Sequence, residues 1–168
     1  SEELGGPDAH MTHSGVIHFV AEDDSHAIAI CQKLLSFLPS NNLEDPPQAE
    51  PDPNFEPNPE LEGVVPTETK KGYDVRDVIL RVVDFADFLE VQSGYAANIV
   101  VGFARIGGRS IGIIANQPSV QAGVLDINAS NKASRFIRFC NAFNIPLLTF
   151  ADVPGFLPGV QQEYGGII

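Results

Sequence analysis

The sequence predicts an α/β fold in which a β-sheet is layered with helices. Two runs rich in β-branched residues, 99–106 and 109–115, flank Gly107-Gly108, a pattern typical of a tight β-hairpin. Apolar residues at helical spacing follow, and then a short apolar strand at 147–151. Strands on both sides of a helix, the last of them nearly all apolar, indicate a buried sheet covered by helices.

The first segment predicts a strand and then a helix. Residues 15–21 are short and rich in β-forming side chains. Asp23, Asp24 and Ser25 are all favourable helix N-caps. Apolar residues at helical spacing follow them until Pro39, which should end the helix.

A proline-rich, acidic segment comes next. Eight of the 13 prolines lie in 39–66, and seven acidic residues fall between Glu44 and Glu62. Such a composition buries little apolar surface. We therefore expect residues 41–69 to be an extended, partly polyproline linker between two packed units, with an acidic interaction tail as the alternative.

Two more helices are expected in the second half of the chain. Asp74 should cap a helix whose apolar stripe continues to Leu89. Asp126 or Asn128 should cap another, whose stripe includes Cys140. These helices would cover the sheet that the hairpin and the last strand form.

Charge and composition exclude several functional classes. The 168 residues carry a formal net charge of −12, and much of that acidity lies in the proline-rich segment. A nucleic-acid partner needs clustered Lys and Arg, and an anionic membrane surface also attracts basic segments. No apolar run approaches the roughly 20 residues that cross a bilayer. The opening SEELGGPDAH does not resemble a signal peptide.

The two cysteines, Cys31 and Cys140, lie in apolar periodic segments without metal-ligand spacing. We expect both to be buried, reduced thiols, and we predict no metal in this chain.

The strongest candidate site is the segment 152–159, which directly follows the last strand. In α/β proteins, ligands bind at the carboxyl ends of strands. Pro154 and Gly155 suit the central positions of a type II turn, in which glycine takes a positive φ and N–H groups face outward. Such donors can hold a developing oxyanion, with Phe156 and Leu157 as an apolar wall. A plain Pro-Gly loop is the alternative.

Other candidates carry less information. Lys132, Arg135 and Arg138 lie on one helix face, which indicates either a solvated surface or a phosphate-contacting patch. The amides of 116–118 could face a ligand, although a turn is the simpler interpretation. No general base can be assigned among the four histidines, which are His10, His13, His18 and His26.

Longer motifs resemble the carboxyltransferase β subunits of propionyl-CoA carboxylase and related biotin-dependent acyl-CoA carboxylases. The segments that carry the resemblance are 3–10, 14–15, 98–105, 107–109, 115–118, 125–130, 134–146, 150–159 and 162–168. They lie toward both ends of the chain, and none of them falls in the proline-rich segment.

The resemblance implies a crotonase/ClpP-like fold of repeated β-β-α units, present as two halves. Residues 1–40 would be the C-terminal part of the first half, 41–69 the linker, and 70–168 the N-terminal part of the second half. Both halves would then be incomplete. The family's two glycine-rich oxyanion segments would lie outside this chain, which should be inactive alone.

The resemblance also implies a reaction, the transfer of CO₂ from carboxybiotin to the α-carbon of an acyl-CoA of the propionyl or acetyl class. In this family, main-chain N–H groups hold the negative oxygens. By similarity, the backbone of Gly155 and Phe156 faces biotin, supported by Pro154 and Leu157.

Biotin would be carried on a partner subunit or domain. The expected partners are acyl-CoA, biotin carboxyl carrier and biotin carboxylase subunits, and further copies of the chain in a homo-oligomer. The compartment would be the bacterial cytoplasm or the mitochondrial matrix. Alternatives are a biotin-dependent acyl-CoA decarboxylase or transcarboxylase subunit, and a non-catalytic assembly module.

Overall fold

A four-stranded sheet forms the centre of the computed structural model, which describes residues 2–54, 58–68 and 71–167. The sheet order is β1-β2-β3-β4. The pairs β1/β2 and β2/β3 are antiparallel, and β3/β4 is parallel. The strands are β1 (Leu89–Val91), β2 (Ile99–Ile106), β3 (Arg109–Asn116) and β4 (Leu147–Phe150).

Helices lie before, between and after the strands. They are α1 (Glu2–Gly5), α2 (Pro7–Ala9), α3 (Asp24–Leu35), α4 (Leu61–Val64), α5 (Val75–Val82), α6 (Ile127–Ala142) and α7 (Val160–Tyr164). A π-helical turn covers His10–Ser14, and 3₁₀ turns cover Asp84–Ala86 and Gln121–Gly123. In the described part of the chain, no helix combines the length and apolar character needed to span a bilayer.

The predicted hairpin between β2 and β3 is confirmed. Its register pairs Ile106 with Arg109, so that Gly107 and Gly108 form the turn. Both glycines have positive φ, +58° and +76°, as a two-residue hairpin turn requires. Their N–H groups donate to the buried carboxylate of Asp84 at 3.0 and 2.7 Å, which fixes the turn from outside the hairpin.

The sheet has a hydrophobic core on each face. Successive side chains of a strand point to opposite sides, so neighbouring residues belong to different cores. Val101 and Ile114, which face each other across β2 and β3, belong to the core beneath α6. Their neighbours Val100 and Ala115 belong to a second core beneath α5. Phe37, which is fully buried, joins the segment after α3 to the first core.

Three predicted helix N-caps are confirmed by side-chain hydrogen bonds to main-chain N–H groups. Asp23 accepts from His26 at 2.8 Å at the start of α3. Asp74 accepts from Arg76 at 2.9 Å at the start of α5. The alternative between two caps for α6 is resolved in favour of Asp126, whose carboxylate accepts from Ala129 at 2.8 Å.

The predicted ends of two helices are wrong. Helix α3 ends at Leu35, before Pro39, with Ser36 as its C-cap. Helix α5 ends at Val82, and Leu89 lies in β1 opposite Phe103. The chain leaves α5 at Val83, whose ψ of 154° is extended, and the positive φ of 55° at Phe85 keeps the helix from resuming.

Residues 15–21 do not form the predicted strand. The segment lacks a ladder of paired neighbours and is attached instead at single points: the N–H of Gln92 donates to His18 O at 2.9 Å, and the Gln92 side chain donates to Gly15 O. Cys31 was expected to be buried but is exposed on α3, whereas Cys140 is buried as predicted.

Strand β4 is less buried than its apolar sequence predicted. It lies at an edge of the sheet, its residues alternate between exposed and half-buried, and Leu147 is 42% exposed. Because β4 pairs with β3 only and is covered on one face, some of its apolar residues remain exposed.

Part of the proline-rich segment packs against the hairpin. The N–H of Ala49 donates to Gly108 O at 2.9 Å, and Gln48 forms an isolated antiparallel bridge with Arg109. Farther on, Asp52 accepts a hydrogen bond from Phe85 N–H at 2.9 Å. Some of the backbone of this segment is therefore bound to the sheet, and Leu61–Val64 within it form α4.

Candidate active site at the end of strand β4

The candidate segment lies where the sequence placed it, directly after β4 and beside the end of β3. Pro154 and Phe156 are exposed, the latter by 50%, while Gly155 and Leu157 are half-buried. The segment therefore presents an aromatic side chain and backbone at an open edge of the sheet.

The loop before α6 fixes the backbone of this segment. Leu125 and Phe156 form an isolated parallel bridge. The N–H of Leu125 donates to Gly155 O at 3.1 Å, and the N–H of Leu157 donates to Leu125 O at 2.7 Å. Phe156 itself makes neither of these two hydrogen bonds, so its N–H and carbonyl are directed away from Leu125.

The predicted type II turn is wrong, although the predicted positive φ of Gly155 is confirmed. Its φ is +147°, far from the roughly +80° of a type II turn. The bridge to Leu125 explains this difference, because it holds the backbone open where a turn would close it. A Cβ at Gly155 would meet no atom within 4 Å, so the glycine is needed there for its conformation and not for space.

The main-chain donors of the segment are available. Among the hydrogen bonds of the described residues, neither Gly155 N–H nor Phe156 N–H has an acceptor. Two successive N–H groups without protein acceptors can bind an oxygen that carries negative charge. These two N–H groups lie next to the exposed ring of Phe156.

Asp152 anchors the beginning of the segment. Its N–H donates to Asn116 Oδ1 at 3.3 Å, and its carboxylate accepts from Tyr73 Oη–H at 2.9 Å. Burial and the adjacent carboxylate raise the pKa of Tyr73 to about 12, so the phenol remains a donor. Tyr73 was missed from the sequence because it lies 79 residues away from its partner.

A cavity of about 540 Å³ lies beside this anchor. Tyr73, Asp152, Pro118 and Lys71 are among the residues that line it. The cavity provides room for a ligand close to the strand end, and its lining includes both a carboxylate and an ammonium group.

The amides of 116–118 serve the fold. The fully buried Gln117 accepts from Val75 N–H at 3.1 Å and donates to Asp74 Oδ1 at 2.7 Å, which ties the start of α5 to the end of β3. Asn116 donates to Gly123 O at 3.1 Å. The simpler interpretation of this motif as a structural turn is confirmed for Gln117.

The expectation of a shared basic face on α6 is wrong for Lys132. Its side chain is only 1% exposed, and its Nζ donates to Tyr95 O at 2.7 Å and to Ile99 O at 2.9 Å. Arg135 and Arg138 are exposed. Residues three positions apart share a face only approximately, and Lys132 turns inward toward the loop before β2.

The histidines make local contacts. His10 Nδ1 lies 3.0 Å from Ser14 Oγ, and His13 Nδ1 lies 2.7 Å from Thr12 Oγ1. Nothing in these contacts assigns a general base. Within the described residues there is also no group of three or more His, Cys, Asp or Glu that could hold a metal ion.

Comparisons with known proteins identify relatives along the whole chain. A family model described as the carboxyl transferase domain matches residues 1–168. The methylmalonyl-CoA carboxyltransferase 12S subunit of Propionibacterium freudenreichii subsp. shermanii is 62% identical over 168 residues, which cover 100% of this chain and 32% of that protein.

Two other relatives have different activities in their names. Methylmalonyl-CoA decarboxylase subunit alpha of Veillonella parvula is 55% identical over 170 residues, covering 100% of this chain and 33% of that protein. The propionyl-CoA carboxylase carboxyltransferase subunit of Haloferax mediterranei is 54% identical over 169 residues, covering 99% and 33%.

A solved structure has the same fold. The crystal structure of the transcarboxylase 12S hexamer with hydrolysed methylmalonyl-coenzyme A bound superposes with a TM-score of 0.96 at 63% identity, covering 99% of this chain and 33% of that chain. This chain thus spans about a third of the length of the relatives that it matches.

Proposed function

Because this chain belongs to the carboxyl transferase domain family, we propose that the whole protein moves a carboxyl group between carboxybiotin and the α-carbon of an acyl-CoA. The observation that carries the proposal is the pair of main-chain N–H groups at Gly155 and Phe156, which have no acceptor among the described residues. They lie on an exposed segment at the carboxyl end of β4.

The donor set suits the ureido group of biotin. When bound, carboxybiotin would supply the carboxyl group for the acyl α-carbon and a ring nitrogen that can take up the proton of that carbon. The N–H groups of Gly155 and Phe156 stabilise the negative charge that develops on the ureido oxygen. Pro154 and Leu157 shape the segment, and the Phe156 ring provides an apolar surface for the bicyclic ring.

The acyl substrate is propionyl-CoA or its carboxylated form, methylmalonyl-CoA. The names of three relatives at 54–62% identity all refer to one of these two thioesters. The protein interacts with a biotin carboxyl carrier, and a carboxylase of this kind also needs a biotin carboxylase subunit. The hexamer of the structural relative supports a homo-oligomer here as well.

The fold proposal extends beyond the four-stranded sheet. Residues 70–168 form the N-terminal part of one crotonase-like half, built from β-β-α units, and residues 1–40 are the end of the preceding half. The unit β2-β3-α6 has the order that this repeat requires. A bacterial cytoplasm or a mitochondrial matrix is the expected compartment.

The test uses the whole protein, methylmalonyl-CoA labelled in its free carboxylate, and a biotinylated carrier domain. We expect label on the carrier. Replacing Phe156 by phenyllactic acid converts its N–H to an ester oxygen and should lower the transfer rate by about 10²-fold. Gly155→Ala, which strains a φ of +147°, should also lower it.

The matched control is Gly107→Ala. Like Gly155, Gly107 has a positive φ, here 58°, and open space around its Cβ position. It lies in the hairpin turn, however, and not in the candidate site. Transfer per folded molecule should be unchanged. Absence of transfer from any acyl-CoA would overturn the proposal, and full activity of the ester variant would remove Phe156 N–H from the site.

Transcarboxylation or decarboxylation is the second candidate. The relative named as a carboxyltransferase is 62% identical, whereas those named as a carboxylase and a decarboxylase are 54% and 55% identical. Adding pyruvate as an unlabelled keto-acid acceptor distinguishes a transcarboxylase from the other two. A carboxylase leaves the keto acid unlabelled, whereas a transcarboxylase complex transfers the label to it.

A further inference from the structure

Asn116, the last residue of β3, links two segments of the candidate site. Its side chain is buried, with 7% of the residue exposed. Nδ2 donates to Gly123 O at 3.1 Å, and Oδ1 accepts from Asp152 N–H at 3.3 Å. One carboxamide thus connects the loop before α6 to the start of the segment after β4.

The loop that Asn116 holds has an unfavourable backbone. Gln121 and Ala122 have φ of 50° and 53°, values that L-residues rarely adopt, and Gly123 follows at 73°. Such conformations persist only where surrounding contacts impose them. Here two buried asparagines supply those contacts, since Asn98 donates to Val124 O at 2.8 Å beside the bond from Asn116 to Gly123 O.

The same loop carries Leu125, which forms both hydrogen bonds that hold the site backbone. The loop is also packed tightly against that segment, because a Cβ at Gly123 would lie 2.7 Å from Asp152 O. A path of direct contacts therefore runs from Asn116 through Gly123 and Leu125 to Phe156. A second path runs from Asn116 straight to Asp152.

We infer that Asn116 is a positioning residue for carboxyl transfer: its carboxamide fixes the loop and the strand end together and so sets the direction of the Phe156 N–H. The inference rests on the proposed function. Asn116 acts through main chain and has no assigned contact with substrate or biotin.

The chemistry of the carboxamide makes the inference testable, because Asn116 donates and accepts at the same time. An ionised aspartate at this position can only accept and would repel Gly123 O. A protonated aspartic acid offers one O–H donor and one carbonyl acceptor, the same pair as asparagine. Its activity relative to wild type should therefore rise as the pH falls.

The experiment measures kcat and KM of the whole protein from pH 5.5 to 8.5, with labelled methylmalonyl-CoA and a biotinylated carrier domain. At pH 8, Asn116→Asp should lower kcat by about 10- to 100-fold, with KM for methylmalonyl-CoA unchanged. The ratio of variant to wild-type kcat should increase several-fold toward pH 5.5.

Asn144→Asp is the matched control. Asn144 Nδ2 also donates to two main-chain oxygens, Asn42 O at 3.1 Å and Glu44 O at 3.2 Å, but far from the site. Its kcat should follow the wild-type pH profile. If Asn116→Asp does not fold, Tyr73→Phe removes the other anchor of Asp152 and should lower kcat by a factor of several at unchanged KM for methylmalonyl-CoA.

The possible results separate the two proposals. No transfer by wild type overturns the proposed function and this inference with it. Transfer that Asn116→Asp leaves intact overturns the inference alone. A loss that is the same at all pH values, or that appears equally in KM for methylmalonyl-CoA, also overturns it, because it indicates general damage. An unchanged kcat of Tyr73→Phe would also overturn the inference.

Discussion

Lys132 donates from its Nζ to the main-chain carbonyl of Ile99, 2.9 Å away, at the point where β2 begins. The same ammonium donates to Tyr95 O and Ala96 O. Ala96 and Gln92 in this loop have positive φ, so Lys132 stabilises a backbone that would otherwise be unfavourable. The loop in turn holds residues 15 and 18 through Gln92.

Lys132→Met should change the pH dependence of stability. Burial lowers the pKa of Lys132 to about 8 from 10.5, so between these values the unfolded chain binds more protons than the folded one. Wild-type stability relative to the variant should therefore rise from pH 8 to 10.5, by an amount on the order of 3 kcal/mol. Urea unfolding at each pH measures this difference.

At neutral pH the same variant should be less stable than wild type by about 1–3 kcal/mol, because three carbonyl groups lose their donor. Lys71→Met, on the exposed surface, is the control. A Lys132→Met protein that unfolds in parallel with wild type at every pH would contradict the prediction.

Arg76→Lys should destabilise the protein by about 1–2 kcal/mol. Arg76 binds Glu90 through two hydrogen bonds of 2.7 Å, from Nε and Nη2, and this bidentate geometry joins α5 to β1. A lysine cannot form it. The control, Arg81→Lys, affects pairs at 3.4 and 3.9 Å with exposed carboxylates and should change stability by less than about 0.5 kcal/mol. Equal losses in the two variants would argue against a special role of the bidentate pair.

Gly112→Ala should destabilise the protein by about 1–3 kcal/mol, because it overpacks the centre of β3. The new Cβ would lie 2.7 Å from Cys140 Sγ and 2.9 Å from Leu147 Cδ2, and α6 and β4 would both have to move. Gly63→Ala is the matched change in open space on α4, where no atom lies within 4 Å. It should be neutral or slightly stabilising when thermal unfolding is compared.

The two thiols should differ in reactivity. Burial raises the pKa of Cys140 to about 12, so almost no thiolate is present at neutral pH, and Cys31 is exposed. With iodoacetamide at pH 8, peptide mass spectrometry should find Cys31 alkylated first. Cys140 should react only in denaturant. Alkylation of Cys140 at a similar rate in the native state would show that α6 opens readily.

The parts of the fold that were correctly predicted depend on neighbours in sequence. The hairpin at Gly107-Gly108 and the caps Asp23 and Asp74 are local, because turn and cap preferences act over two to four residues. Strand β4 was predicted for the same reason, although its exposure to solvent was not predicted. Exposure depends on whether another strand lies alongside, which no local pattern contains.

The position of the candidate site was predicted, but the residues that hold its backbone in place were not. A strand followed by Pro154-Gly155 is visible in the sequence, and the resemblance then gave it a role. Leu125 and Tyr73, however, reach the segment across 31 and 79 positions of chain. Long-range partners of this kind replaced the predicted turn with a bridge, and only their geometry fixes where the N–H groups point.

The open side of β4 has a consequence for handling the molecule. An apolar edge strand with Leu147 exposed offers a row of unshared main-chain groups to any other extended chain. Concentrated preparations of the 168-residue polypeptide would therefore be prone to edge-to-edge association and fibrillar precipitation. A lysine at an outward position such as Thr149 is a simple way to keep such samples dispersed.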